Sequence, residues 1–233
     1  MTQTPAFDYH ARAAQALTFP KMLRLNAREH GGEVALREKD LGLWRLFTWN
    51  DYHARTRDFA LGLVELGIGT GDVIGIIGDN RPDWVAAEIA AHAIGAMSLG
   101  MYRDALDDEV AYLLTYGEAK VVFTEDEDQV DKLLGLGERI PHVRHIVYSD
   151  PRGMRKYDDP RLMTAEALAD LGRARASREP DLYDRLVDAT DSDAVAVLCT
   201  TSGTTSNPKL AMLSSGAILR HCATYLTFDP KGP

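Results

Sequence analysis

The 233-residue sequence has only two cysteines, Cys199 and Cys222, and it lacks any run of about 18 consecutive apolar residues. Two cysteines cannot form a disulfide framework, and so few are typical of a protein that works in a reducing compartment. The N-terminal stretch also lacks the apolar core of a secretory signal peptide. We therefore predict a cytoplasmic protein without a transmembrane segment, and peripheral contact with a membrane surface stays open.

Positive charge is scarce as well. The sequence has 26 lysines and arginines against 35 aspartates and glutamates, which gives a formal net charge of −9. This balance argues against a nucleic-acid-binding or anionic-membrane-binding surface, so a polyanionic ligand has to be held by a small local pocket. The 45% content of hydrophobic residues is ordinary for a globular protein of one large or two small domains.

Short apolar runs alternate with helical patterns along most of the chain. Strands are predicted at 73–77, 96–99, 121–124, 146–148 and 194–199, and helices at 82–95, 107–116, 127–134 and 182–189. Such alternation is typical of an α/β protein with a mainly parallel, doubly wound sheet that has helices on both faces.

Two regions depart from this alternation. Before the sheet, runs at 34–37 and 45–48 predict a β-hairpin, followed by a helix that is capped by Asn50 and ended by Gly67. Between 150 and 178 the sequence is charged and interrupted by prolines, which predicts a long surface excursion with one helix at 164–171. Its arginines are interpreted as a solvated face and not as a basic binding patch.

The stretch TTSGTTSNPK, residues 200–209, directly follows the last predicted strand and precedes a segment that can be helical. Backbone N–H groups near a small Gly203, several hydroxyls and the Lys209 ammonium are groups that hold phosphate. The loop is neither a Walker A motif nor a G-x-G-x-x-G motif. The residues alone leave a second interpretation open with equal weight, an ordinary surface turn.

The same stretch resembles the signature loop of the adenylate-forming superfamily, which includes acyl-CoA synthetases, firefly luciferases and peptide-synthetase adenylation domains. The family pattern is Thr-Ser-Gly-Thr-Thr-Gly-x-Pro-Lys-Gly, followed by Leu-Ser-His. The matching residues are Thr201, Ser202, Gly203, Thr204, Thr205, Pro208, Lys209, Leu213 and Ser214. The likeness extends over residues 20–225 and is greatest to long-chain acyl-CoA synthetases.

The resemblance implies a role for each residue of the loop. Lys209 is implied to be the catalytic residue, which fixes the loop or neutralises the departing pyrophosphate. The residues implied to bind the nucleotide phosphates are Thr201, Ser202, Gly203, Thr204, Thr205, Ser206 and Lys209. Ser206 stands where the family usually has glycine, and we interpret it as a variant in which a hydroxyl replaces a backbone contact. Leu210, Ser215 and Gly100 also depart from the usual Gly, His and Pro.

The implied activity is that of an ATP-dependent acyl-CoA synthetase. Such enzymes use Mg²⁺ and ATP to convert a fatty acid to an acyl adenylate with release of pyrophosphate, and then transfer the acyl group to coenzyme A. No residue of this chain is assigned as a metal ligand. The chain is expected to be the N-terminal part of such an enzyme and inactive by itself. A fatty acyl-AMP ligase, another adenylating enzyme and a non-catalytic nucleotide-binding module remain as alternatives, and a homodimer stays open.

The resemblance also implies a division of the chain. Residues 1–66 are expected to belong partly to a second subdomain, residues 67–225 to the α/β AMP-binding subdomain, and residues 226–233 to a tail. An exposed apolar face is expected around Phe59, Leu63 and Leu66. Cys199 is interpreted as a small buried residue and not as a nucleophile.

Overall fold

The computed structural model describes residues 9–201 and 208–229. Within these ranges the α-helices are α1 (Tyr9–Ala16), α2 (Phe19–His30), α3 (Trp49–Glu65), α4 (Pro82–Ala93), α5 (Asp107–Tyr116), α6 (Glu127–Leu136), α7 (Ala165–Arg178), α8 (Leu182–Asp188) and α9 (Ser215–Phe228). The strands are β1 (Val34–Asp40), β2 (Leu43–Thr48), β3 (Val73–Ile77), β4 (Met97–Met101), β5 (Ala119–Thr124), β6 (His145–Tyr148), β7 (Leu162–Thr164), β8 (Val195–Thr201) and β9 (Lys209–Ser214).

Seven of these strands form one sheet in the order β7-β6-β5-β3-β4-β8-β9. Each neighbouring pair is parallel except β8 and β9, which are antiparallel. The five predicted strands lie together in this sheet, so the prediction of a mainly parallel sheet is confirmed. All residues of β3 are buried, because this strand has neighbours on both sides and helices on both faces.

Helices cover the two faces of the sheet with separate apolar layers. Ile74 and Ile76 of β3 belong to the layer that includes α3, α4 and α7, whereas Val73 and Ile77 belong to the layer that includes α5 and α6. Successive side chains of a strand point to opposite faces, which explains this alternation. The doubly wound arrangement is therefore confirmed. None of the helices in the described part of the chain is long and apolar enough to cross a membrane.

The predicted hairpin is confirmed as a separate two-stranded antiparallel sheet of β1 and β2. Both strands run closer to the turn than predicted, because the connection consists of Leu41 and Gly42 alone. The φ angles of these two residues are 47° and 85°. Positive φ at both central residues matches the twist of the flanking strands, and glycine adopts it without strain.

Thr48, and not Asn50, is the N-cap of α3, so this part of the prediction was wrong. Thr48 Oγ1 accepts a hydrogen bond from the Asp51 N–H at 3.1 Å, and Asp51 Oδ2 accepts one from the Thr48 N–H at 2.8 Å. Such a capping box uses a carboxylate or amide side chain three residues after the cap; Thr48 has Asp51 at that place, whereas Asn50 has His53. Gly67, with φ of 76°, follows the end of the helix as predicted.

The segment 150–178 is part of the fold and not the predicted surface excursion. Its strand β7 extends the sheet beside β6, and α7 runs to Arg178 and packs closely against α3. Gly62 of α3 and Gly172 of α7 lie at this crossing, where an added Cβ would overlap backbone atoms of the facing helix. The charge of the segment 150–178 hides this role of Gly172, because a single glycine among charged residues does not indicate a helix contact.

The arginines of α7 are held in ion pairs. Arg173 contacts Glu166 at 2.6 Å, and Arg175 contacts Glu65 of α3 at 2.9 Å. Arg178 contacts the same Glu65 at 2.8 Å. Arg175 and Arg178 therefore join α7 to α3.

The apolar face expected to be exposed on α3 is covered. Phe59 and Leu63 are fully buried and Leu66 is partly buried, in the same layer as Leu168 of α7. The expectation was wrong because the helix predicted at 164–171 was placed in a surface excursion, whereas α7 packs against α3. The division of the chain at residue 66 stays a prediction.

Candidate functional site

The strands β3, β4, β5, β6 and β8 run parallel and therefore end at one edge of the sheet. Open α/β sheets bind ligands at this carboxyl edge, because the loops that leave it bring backbone N–H groups and side chains together. The hydroxyl-rich loop leaves this edge directly after Thr201, the last residue of β8. It therefore begins where a ligand of such a fold is expected.

Thr201 and Lys209 lie opposite each other at the base of this loop. They are antiparallel partners at the ends of β8 and β9, and Thr201 Oγ1 donates to the Lys209 carbonyl oxygen at 3.3 Å. Both residues are exposed. The structure thus brings together the first and last of the predicted site residues. The other five, Ser202, Gly203, Thr204, Thr205 and Ser206, lie outside the described residues.

The segment after the loop is a strand before it becomes a helix, which corrects the predicted strand–loop–helix order. Lys209–Ser214 forms β9, and α9 starts at Ser215 with Ser214 as its N-cap. The apolar run 210–213 suits a short strand as well as a helix. Pairing with β8 decides between them, because it satisfies the backbone N–H and C=O groups along that side of β8.

Tyr112 of α5 contacts Pro208 at the end of the loop, and no motif in the sequence indicated this contact. Its hydroxyl donates to the Pro208 carbonyl oxygen at 3.1 Å. Its ring stacks on Tyr116, with centroids 5.4 Å apart and planes inclined by 14°. The one sequence signal is the spacing of two tyrosines by four residues, which puts them on one helix face.

Ion pairs join the loops that follow β3, β4 and β5. Arg81 donates to Glu125 at 2.8 Å and to Glu38 of the hairpin at 3.1 Å. Arg103 donates to Asp126 at 2.7 Å. Because these arginines already face carboxylates, we assign the network to holding the hairpin and the loops together and not to binding an anion.

A cleft of about 970 Å³ lies between the hairpin and the starts of α3 and α4. Its charged lining has eight carboxylates against four arginines, and neither Thr201 nor Lys209 lines it. An excess of negative charge does not suit a polyphosphate ligand. We therefore place the candidate site at the loop after β8 and not in this cleft.

Cys199 is exposed, so its interpretation as a buried residue was wrong. It pairs with Ala211 across β8 and β9, and Thr201 and Lys209 on the same face of this strand pair are also exposed. The apolar character of the β8 run suggested burial on both faces. Position near the edge of the sheet leaves one face of this pair partly uncovered.

A polar network of His92, Ser98 and Glu88 joins α4 to β4. His92 Nε2 lies 3.0 Å from Ser98 Oγ, which donates to Glu88 Oε1 at 3.2 Å. Burial lowers the pKa of His92 to about 4 and raises the pKa of Glu88. Ser98 is buried as well, so we interpret the His92–Ser98–Glu88 network as a structural element and not as a catalytic triad.

Together, the mainly parallel sheet and the loop that leaves its carboxyl edge define an α/β domain of the kind that binds ligands at that edge. Residues 23–231 match the family model described as AMP-binding enzyme. The chain therefore belongs to the AMP-binding enzyme family, as the resemblance of its loop predicted.

Curated relatives are similar to the chain over most of its length. The long-chain-fatty-acid–CoA ligase ACSBG2 of Xenopus laevis is 26% identical over 208 residues, which are 89% of this chain and 27% of the relative. The ligase of the same name from Homo sapiens is 25% identical over 198 residues, 85% of this chain and 29% of the relative. The chain thus spans little more than a quarter of the length of these relatives.

Solved structures of adenylate-forming enzymes share the fold. The fatty acyl-adenylate ligase from L. pneumophila, in complex with acyl adenylate and pyrophosphate, has a TM-score of 0.65 at 16% identity, over 92% of this chain and 33% of that one. The Mycobacterium tuberculosis fatty acyl CoA synthetase has a TM-score of 0.62 at 20% identity, over 85% and 35%. At these identities the likeness concerns the fold alone.

Proposed function

We propose that this chain carries the phosphate-binding part of an ATP-dependent acyl-CoA synthetase that activates long-chain fatty acids. Family membership and relatives named as long-chain-fatty-acid–CoA ligases support the proposal. The observation that carries it is the pairing of Thr201 with Lys209 at the base of the loop. This pairing puts an exposed hydroxyl and an exposed ammonium at the carboxyl edge of the sheet, beside the point where the loop leaves it.

In the proposed reaction, a carboxylate oxygen of the fatty acid attacks the α-phosphorus of ATP. The bond from the α-phosphorus to the bridging oxygen breaks, and its electron pair leaves with pyrophosphate. Negative charge grows on the leaving group, so Lys209 and the N–H and O–H donors of 201–206 stabilise the transition state by holding the β- and γ-phosphates. The thiol of coenzyme A then attacks the acyl carbon, loses its proton and displaces AMP.

In the proposed reaction Mg²⁺ enters together with ATP, as part of the complex that binds. Within residues 9–201 and 208–229, no group of three or more His, Cys, Asp or Glu side chains is arranged to hold a metal ion. We further propose a cytoplasmic location, which rests on the low cysteine content of the sequence.

The test is exchange of labelled pyrophosphate into ATP by the intact protein, with and without a series of fatty acids. Exchange that depends on a long-chain acid supports the proposal, and thioester formation on adding coenzyme A completes it. Acid-dependent exchange without thioester formation would assign the chain to a fatty acyl-AMP ligase instead. Nucleotide binding without any exchange would assign it to a non-catalytic module.

A further inference from the structure

Lys209 is flanked on both sides by contacts with the same helix. Pro208, directly before it, accepts the Tyr112 hydroxyl hydrogen bond of 3.1 Å. Leu210, directly after it, packs against the buried apolar layer that includes the inner face of α5. Residues 208–210, which form the return arm of the loop, are therefore attached to α5 and not only to β8.

This attachment is to a rigid element. Val110, Leu113 and Leu114 of α5 are buried in the apolar layer beneath the sheet. The ring of Tyr112 is further held by its stack on Tyr116. A hydroxyl on a buried helix thus has a fixed position from which to hold a backbone carbonyl.

The loop arm needs such a contact for two reasons. β9 lies at the edge of the sheet, so its start is hydrogen-bonded to a strand on one side only. Pro208 has no N–H and cannot be held by donating a hydrogen bond, which leaves its carbonyl as the polar group available for attachment. Tyr112 supplies a donor to that carbonyl.

We infer that Tyr112 is a positioning residue for the phosphate loop, acting through the Pro208 carbonyl on the placement of Lys209. The inference rests on the proposed function for its effect on catalysis. Holding one arm of the loop in the binding geometry reduces the ordering cost that nucleotide binding has to overcome. The hydroxyl of Tyr112 therefore tightens the binding of ATP and pyrophosphate and leaves the binding of the fatty acid unchanged.

The catalytic test compares Tyr112→Phe with Tyr116→Phe in the intact protein. Both changes remove one hydroxyl from α5 and keep the ring, and the Tyr116 side chain is the more exposed. We expect Tyr112→Phe to raise KM for ATP about three- to ten-fold, because this is the effect of losing one hydrogen bond. KM for the fatty acid should stay unchanged. Tyr116→Phe should leave both constants unchanged. Equal KM values for ATP in wild type and Tyr112→Phe, or equal effects of the two variants, would overturn the inference.

A second measurement is independent of the reaction. Trypsin cleavage after Lys209 in the native protein reports how often the start of β9 opens, since cleavage follows the open population. We expect cleavage to be about three- to ten-fold faster in Tyr112→Phe than in wild type or Tyr116→Phe. Unchanged cleavage would contradict the attachment. Absence of pyrophosphate exchange in the wild type would count against the proposed function alone, since the trypsin comparison still decides whether Tyr112 holds the loop.

Discussion

Gly172 of α7 lies against the Asp58 carbonyl oxygen of α3, so closely that a Cβ added at Gly172 would overlap that oxygen. Backbone cannot move aside as a flexible side chain does, so the whole helix crossing depends on the missing Cβ. The same crossing buries Phe59 and Leu63 against the sheet.

Gly172→Ala should therefore lower the free energy of unfolding by about 1–3 kcal/mol, because α7 has to shift away from α3. Gly135→Ala is the matched control, since Gly135 also lies in a helix but has no atom within 4 Å of the position of an added Cβ. Alanine there should be neutral or stabilise by up to about 1 kcal/mol. Urea unfolding of both variants measures the difference. Equal stabilities would show that the two helices are not in such close contact.

Lys209→Ala should reduce acid-dependent pyrophosphate exchange by about 10²- to 10³-fold, because one preorganised donor to the leaving group is lost. Its melting temperature should stay close to that of the wild type, since the side chain is exposed. Lys156→Ala, which removes another exposed lysine, is the control and should retain full exchange. A large fall in melting temperature with unchanged exchange in the folded protein would instead make Lys209 a structural residue.

Lowering the pH should destabilise the protein through His92. Its pKa is about 4 in the folded state against an ordinary value of 6.5, so between these values the unfolded state binds a proton that the folded state does not. Stability is therefore fully present above pH 6.5 and falls as the pH approaches 4, by up to about 3 kcal/mol. Glu88, whose pKa is raised by burial, acts in the opposite direction.

The effect of His92 can be isolated in a Glu88→Gln background, where the opposing titration is absent. Denaturant unfolding at pH 7 and pH 4.5 is compared between Glu88→Gln and Glu88→Gln/His92→Gln. The variant that keeps His92 should lose about 2–3 kcal/mol more on acidification. The same loss in both variants would mean that His92 is not held neutral in the core.

Thr48→Ala should lower the free energy of unfolding by about 1 kcal/mol, because it removes the side-chain half of the capping box at the start of α3. Asn50→Ala, two residues on, should have little effect, since Asn50 is exposed and is not the cap. Thermal unfolding of the two variants distinguishes these positions. A larger cost for Asn50→Ala would restore the cap predicted from the sequence.

Much of the sheet and part of the site were predictable. β3 and α5 were predicted at their observed bounds, since both have a clear apolar pattern with defined ends. Thr201 and Lys209 were recognisable because the spacing of the loop motif is local. Tyr112 was not, since its hydroxyl contacts a carbonyl 96 residues further along the chain.

The sequence by itself determined the elements whose pattern is complete within a few residues: the buried strands, most helices and the composition of the loop. The tertiary structure decided what depends on a distant neighbour. β9 is a strand because β8 offers it an unpaired edge, and α7 covers Phe59 because two glycines let the helices approach. Hydrophobic period is a local property, whereas backbone pairing and steric fit exist only once segments far apart in sequence have met.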